Sequence, residues 1–269
     1  LTLEDYQAIT KSLYKHTNNG DRMKIGDIVS RKKYHQDIIF EVIDIQENIC
    51  YLRGIEYRLI ADSEIDDLEL VQEKRVIEDV HLPQEKCLKR SVLHLDGDPS
   101  YLKDGMKKNQ EYGIRAYGYY FKEEEFASKI NQPIKKNINP HLLVITGHDA
   151  LKKNGHKRNS QDYLHSLDFV EAIKKAREYQ PDKDALVNFA GACQSYYEHS
   201  SKRSGAKFAQ VLQEKIIHAL DPVIITTQIA STNIKEYVDL EKVIEKTSFK
   251  QLGVGGIDTR GVARNLYPR

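Results

Sequence analysis

HLLVITGHDA at residues 141–150 and ALVNFAGACQS at residues 185–195 are two short apolar runs, each ending in a turn of small residues that carries a reactive side chain. The runs Leu142–Thr146 and Ala185–Ala190 are aliphatic or β-branched and lead into glycine, the pattern of strands buried on both faces. Between them, Tyr163–Tyr179 places Leu164, Leu167, Phe169, Val170, Ile173 and Ala176 at helical spacing. Strand, helix, strand is a crossover unit whose two strands lie parallel in one sheet. Both strands then end on one edge, where doubly wound sheets bind ligands. The turns deliver His148 and Cys193 to that edge, an imidazole and a thiol, the parts of a general base and a nucleophile.

Working upstream, SVLHLDGD (91–98) reads as a strand ending in an acidic turn, and Pro99–Glu111 as a helix with proline in its first turn. Gly113–Tyr120 follows as a strand and Lys122–Ile130 as a helix. Downstream, a helix over Ala206–Leu220, a strand over Val223–Thr227 and a helix over Ile234–Thr247 complete the pattern. The expected fold is therefore α/β, a doubly wound, mostly parallel sheet spanning residues 91–269. The glycine-rich tail GVGGIDTRGVARN is expected to be an ordered loop near the active edge or a flexible end.

The amino-terminal part differs. Short β-branched and aromatic runs at Asp27–Ser30, Ile38–Ile45, Ile49–Arg53 and Tyr57–Ala61 predict a small antiparallel β-barrel over residues 23–71. Residues 72–90 read as a charged linker. Residues 1–22 read as a short amphipathic helix and a polar breaker, an upstream extension or leader before MKIGDIV.

Composition sets the outer limits. The 269 residues are 30% charged and 40% hydrophobic with a formal net charge of +1, an ordinary globular balance that points to neither nucleic acid nor a membrane. No apolar run approaches the roughly eighteen residues of a spanning helix. Cys50, Cys87 and Cys193 lack metal-ligand spacing and suit a reducing compartment, with Cys50 and Cys87 structural. No metal or cofactor is expected, and no phosphate-binding glycine motif follows any strand.

As a nucleophile, Cys193 would act as its thiolate, with His148 taking the thiol proton and passing it to the leaving amine. His199 is a second candidate for the base, and His156 and His165 are weaker ones. The oxyanion hole would come from the backbone N–H groups of Cys193 and Asp149. Asp96 and Asp98, at the end of the first strand, should lie beside His148. They could bind a cationic substrate side chain, and Asp98 before Pro99 equally suits a helix N-cap.

Together these motifs carry a resemblance. The T-G-H and A-C-Q turns on successive strands resemble the caspase–hemoglobinase class of cysteine peptidases. More narrowly, MKIGDIV, YRLIADS, LHLDGDPSYL, LLVITGHDA, NFAGACQSYYE and GGIDTRGVARN are similar to the YabG family of sporulation-specific peptidases over nearly all of residues 23–269. The resemblance implies a cysteine endopeptidase that processes spore coat and other sporulation proteins, cuts after arginine, and acts in the mother cell at the forming spore coat. Self-cleavage near Arg22 or Arg53 is expected with it. Where that class has glycine after the histidine, this chain has Asp149. Gly191, two before the cysteine, replaces an acid found in some arginine-cutting relatives, which leaves the Asp96–Asp98 turn as the expected arginine-binding acid. The rival expectation is a non-catalytic adaptor that docks on spore-coat proteins or RNA through the barrel.

Overall fold

A computed structural model describes residues 23–36, 38–71, 87–134, 136, 139–156, 159–192, 208–210, 218–245, 247, 254–256 and 259–265. Two sheets organise them. The first holds β1 (Ile28–Arg31), β2 (Ile39–Gln46), β3 (Ile49–Gly54), β4 (Ile60–Glu64) and β5 (Leu68–Leu70), all antiparallel, in the order β4-β3-β2-β1-β5. Val29, Phe40, Val42, Cys50, Leu52 and Leu68 fill its core. The end strands β4 and β5 share no ladder, so the hydrogen bonding is not closed into the expected barrel. The two-residue β6 (Cys87–Leu88) pairs with β13 (Arg264–Asn265).

The second sheet contains β7 (Val92–Asp96), β8 (Ala116–Tyr120), β9 (Leu142–Gly147), β10 (Val187–Ala192), β11 (Phe208–Gln210) and β12 (Val254–Gly256). Its order is β12-β11-β10-β9-β7-β8. The strands β7 to β11 are parallel, and only β12 runs antiparallel to its neighbour. Successive side chains point to opposite faces of a strand, and the core divides accordingly. Leu93, Leu95, Leu143, Ile145 and Ala190 face one layer with Phe126 and Phe169. Val92, Leu142, Val144, Val187 and Phe189 face the other, with Ile225 and Ile229. Helices cover both faces: α1 (Pro99–Glu111) and α4 (Asp221–Ser231) on one, α2 (Phe126–Lys129) and α3 (Ser166–Tyr179) on the other, with α5 (Leu240–Glu245) packed on α4. The architecture is α/β, as expected. The strands β7 and β9 are neighbours whose connections leave in opposite directions, which makes their carboxyl ends the switch point of the sheet.

Two expectations fail downstream. Val223–Thr227 is the centre of α4 and not a strand. Pro222 in the first turn starts the helix, and Val223 through Thr227, Ile229 and Ala230 are all buried, so a helix apolar all round presents the same β-branched run as a buried strand. Phe208–Gln210, expected as helix, forms β11. From the glycine-rich tail, Val254–Gly256 is the edge strand β12. Among the described residues no helix is long and apolar enough to cross a membrane.

Candidate active site

Three strand ends meet at the switch point: Asp96 on β7, Gly147 on β9 and Ala192 on β10. In the register, Asp96 pairs with Thr146 and Ala192 pairs with Gly147. His148 directly follows Gly147, at a site where the chain is half-buried. Its Nε2 lies 3.2 Å from Oδ2 of Asp98, and its ring lies 6.0 Å from that of Tyr101. The side chain retains 30% exposure, enough to meet a ligand. Cys193 and His199 lie outside the described residues, which end on this strand at Ala192.

Asp98 serves two elements at once. One carboxylate oxygen accepts the backbone N–H of Ser100 and Tyr101 at 2.7 and 3.2 Å, which caps α1, and the other meets His148. Burial pushes this carboxyl up, but the contact with His148 and the two N–H donors outweigh it and hold it below the ordinary range.

Asp96 has a different neighbourhood from the one expected. Its carboxylate is fully buried and receives the fork of Arg58 through Nη1 at 2.6 Å and Nη2 at 2.8 Å. Thr146 Oγ1 donates to it at 2.7 Å, and the backbone N–H of Asp98 at 2.8 Å. With its hydroxyl proton committed to Asp96, Thr146 accepts from His94 Nε2 at 2.7 Å. Burial would raise the Asp96 carboxyl, yet the charge of Arg58, aided by His94, holds it far below the ordinary range. The acidic turn does bind a guanidinium, but it is the chain's own. The Asp96 carboxylate is thus occupied within the fold, while Asp98, whose side chain keeps 14% exposure, is shared between the α1 cap and His148.

Asp149 is also buried. Its carboxylate accepts the N–H of Ala150 and His165 and the hydroxyl of Ser166, so it ties the turn after β9 to the start of α3. Burial raises its carboxyl against those three donors. Among the described residues its own backbone N–H has no acceptor. Of the remaining histidines, His165 is bonded to Asp168 through Nδ1 at 2.9 Å. His156 is almost fully exposed.

One further residue escapes a sequence reading. Glu123, in the short turn before α2, crosses beneath the strand ends and accepts the backbone N–H of His148 at 2.7 Å. A Cβ on Gly97 would lie 2.0 Å from its Oε1, and one on Gly147 would lie 2.6 Å away. The glycines of the LDGD and TGH turns therefore leave room for this carboxylate. In the run Glu123–Glu125 it is indistinguishable by sequence from a solvated face. Glu123, Glu124 and His165 also bring one ligand atom each within 4.8 Å, a spacing a cation could bridge.

Beside His148 lies a cleft of about 280 Å³, lined by Arg58, Leu59 and Ile60 of the first sheet and by His148, Asp149, Ala150, Leu164 and His165 of the second unit. The larger groove, about 640 Å³ around His141, opens at the opposite edge of the sheet and touches none of these groups.

The family model for YabG peptidase U57 matches residues 24–91 and 84–268. The sporulation-specific protease YabG of Bacillus subtilis (strain 168) is 37% identical over 287 aligned positions, which cover 92% of this chain and 98% of that protein. Among solved structures, the REC domain of RcsB from Salmonella enterica serovar Typhimurium matches with 16% identity and a TM-score of 0.34, over 54% of this chain and 88% of that one. A GDP-L-fucose synthetase from Naegleria fowleri matches with 15% identity and a TM-score of 0.26, over 46% and 40%. Both scores are too low to bear on the fold. The chain is a peptidase. The chain belongs to the YabG peptidase U57 family.

Proposed function

We propose that the protein is a cysteine endopeptidase with Cys193 as nucleophile and His148 as base. The observation that carries this is the register: Gly147 and Ala192 are paired across β9 and β10, and His148 and Cys193 are the residues that follow them in sequence. Asp98 holds Nε2–H of the imidazole, which leaves Nδ1 to take a proton. In the first half-reaction Nδ1 removes the thiol proton, the sulfur attacks the scissile carbonyl carbon, and the N–H groups of Cys193 and Asp149 receive the developing oxyanion. The imidazolium then protonates the leaving amine, and a thioester remains. In the second, His148 takes a proton from water, the hydroxide displaces the sulfur, and the acid product leaves with the thiol restored.

The substrates we propose are spore coat and other sporulation proteins, cut after arginine in the mother cell at the forming coat. The name of the Bacillus subtilis relative supports the sporulation role, and the resemblance of the motifs supports the arginine preference. Self-cleavage is part of this reading. Arg53 lies in β3, hydrogen-bonded between β2 and β4 and paired with Glu41, which argues against cleavage there in the folded protein.

The test is hydrolysis of fluorogenic peptides carrying arginine or lysine before the scissile bond. Cys193→Ala and His148→Ala should each lower kcat by at least about 10³-fold while leaving thermal unfolding unchanged. Loss on His199→Ala with His148→Ala active would move the base. Activity in Cys193→Ala would overturn the reading.

A further inference from the structure

We propose that Arg58, carried by the hairpin between β3 and β4, is a positioning residue for catalysis: it orders Asp96, which orders Asp98, which orients His148. The inference rests on the reading of His148 as the base. It gives the amino-terminal sheet a part in the active site.

The chain of contacts is continuous. Arg58 grips both oxygens of Asp96 at 2.6 and 2.8 Å. The oxygen that Nη1 holds also accepts the backbone N–H of Asp98 at 2.8 Å. The Asp98 side chain then meets His148 Nε2 at 3.2 Å. Two peptide units separate the aspartates, so a tilt of the Asp96 carboxylate moves the backbone that carries the Asp98 side chain. Errors of about 1 Å at such a distance from the reacting atoms are enough to cost about 10²-fold in rate.

The burial argues for a fixed key and against a plug that substrate arginine displaces. Arg58 is 3% exposed and Asp96 0%. All acceptor positions of Asp96 are used within the fold, by Arg58, Thr146 and Asp98. The hairpin is held on both sides. Tyr101 donates its hydroxyl to the carbonyls of Gly54 and Tyr57 at 2.7 and 3.0 Å, and its ring lies 4.6 Å from the Arg58 guanidinium. The N–H of Ala219 donates to Glu56 at 2.9 Å. A Cβ on Gly54 would stand 2.2 Å from the Tyr57 carbonyl, so glycine is required for the turn that aims Arg58. Withdrawal of Arg58 would strip a buried carboxylate of its counter-charge, which is strongly unfavourable.

The full chain tests this with Arg58→Ala and Arg58→Lys, assayed on an arginine-containing fluorogenic peptide. The expected result is a fall in kcat of about 10²-fold with KM little changed. Methylguanidinium should restore activity to Arg58→Ala saturably, while methylammonium should not. Lysine should rescue poorly because it offers a point charge and not a planar fork. A double variant, Arg58→Gln with Asp96→Asn, keeps amide contacts without buried charge and serves if the alanine variant does not fold; it should show the same loss of kcat. A second readout is independent of turnover. In protein labelled with ¹⁵N-histidine, the His148 ring signals, assigned by their loss in His148→Gln, should leave the Nε2–H tautomer in Arg58→Ala. Unchanged ring signals, or kcat at or above the wild-type value in a folded Arg58 variant, would overturn the proposal. A wild-type protein with no Cys193-dependent hydrolysis would overturn the peptidase dyad, and the ring signals would still decide the role of Arg58.

Discussion

His148 is pinned at three points: by its backbone N–H to Glu123, by its ring nitrogen to Asp98, and by a tilted ring contact with Tyr101. Asp98 is the informative one because its two functions separate on substitution. Asn caps a helix about as well as Asp, so Asp98→Asn should unfold at the wild-type temperature and yet lose about 10²-fold in kcat. Asp98→Ala should show the same kinetic loss together with about 1 kcal/mol of destabilisation from the missing cap. Calorimetry and steady-state kinetics on the two variants check this; equal kcat in Asp98→Asn and wild type would remove Asp98 from the site. At this scale the sequence was readable where a residue acts through its own turn. Asp98 before Pro99 announces a cap, and a histidine after a buried run announces a strand end. Arg58 and Glu123 gave no such sign, since each acts on a strand far away in the chain and looks locally like any surface charge.

Among the elements, the buried parallel strands were the most legible, because β9 and β10 must be apolar on both faces and short. The region after Ala206 was the least. Val223–Thr227 satisfies strand and buried-helix patterns equally, and β11 and β12 are too short to leave a periodic trace. The hairpin between β3 and β4 also depends on a contact no pattern reveals. His218 lies edge-on to Tyr57 at 6.2 Å, forms an isolated bridge with it, and accepts the Leu220 N–H through Nδ1. Burial depresses the His218 pKa from 6.5 to about 4. The sign follows directly: between those values the unfolded chain binds a proton that the folded one excludes. Stability is therefore complete above about pH 6.5 and falls, by up to about 1.4 kcal/mol per pH unit, until about pH 4. Unfolding temperatures of wild type and His218→Gln at pH 7 and pH 5 test this. The variant should lose less on acidification, and an identical loss in both would exclude His218 as the source.

Across the whole molecule, the two sheets are joined where the chemistry is proposed to occur. The cleft beside His148 has one wall from the amino-terminal sheet and the other from the α/β unit, and a buried ion pair spans the joint. No pattern in the sequence announces that the amino-terminal sheet would line the cleft beside His148. LDGD reads locally as an open acidic turn, and nothing in it announces that the buried Asp96 carboxylate takes its partner, Arg58, from the hairpin between β3 and β4. The central claim, that Cys193 is the nucleophile, is tested most directly by covalent trapping. Wild-type protein treated with a peptidyl-arginine chloromethyl ketone should gain the mass of one inhibitor, and peptide mapping should place the adduct on Cys193, with Cys50 and Cys87 unmodified and no adduct in Cys193→Ala. Stoichiometric, activity-abolishing modification at another residue, with Cys193 untouched, would contradict it.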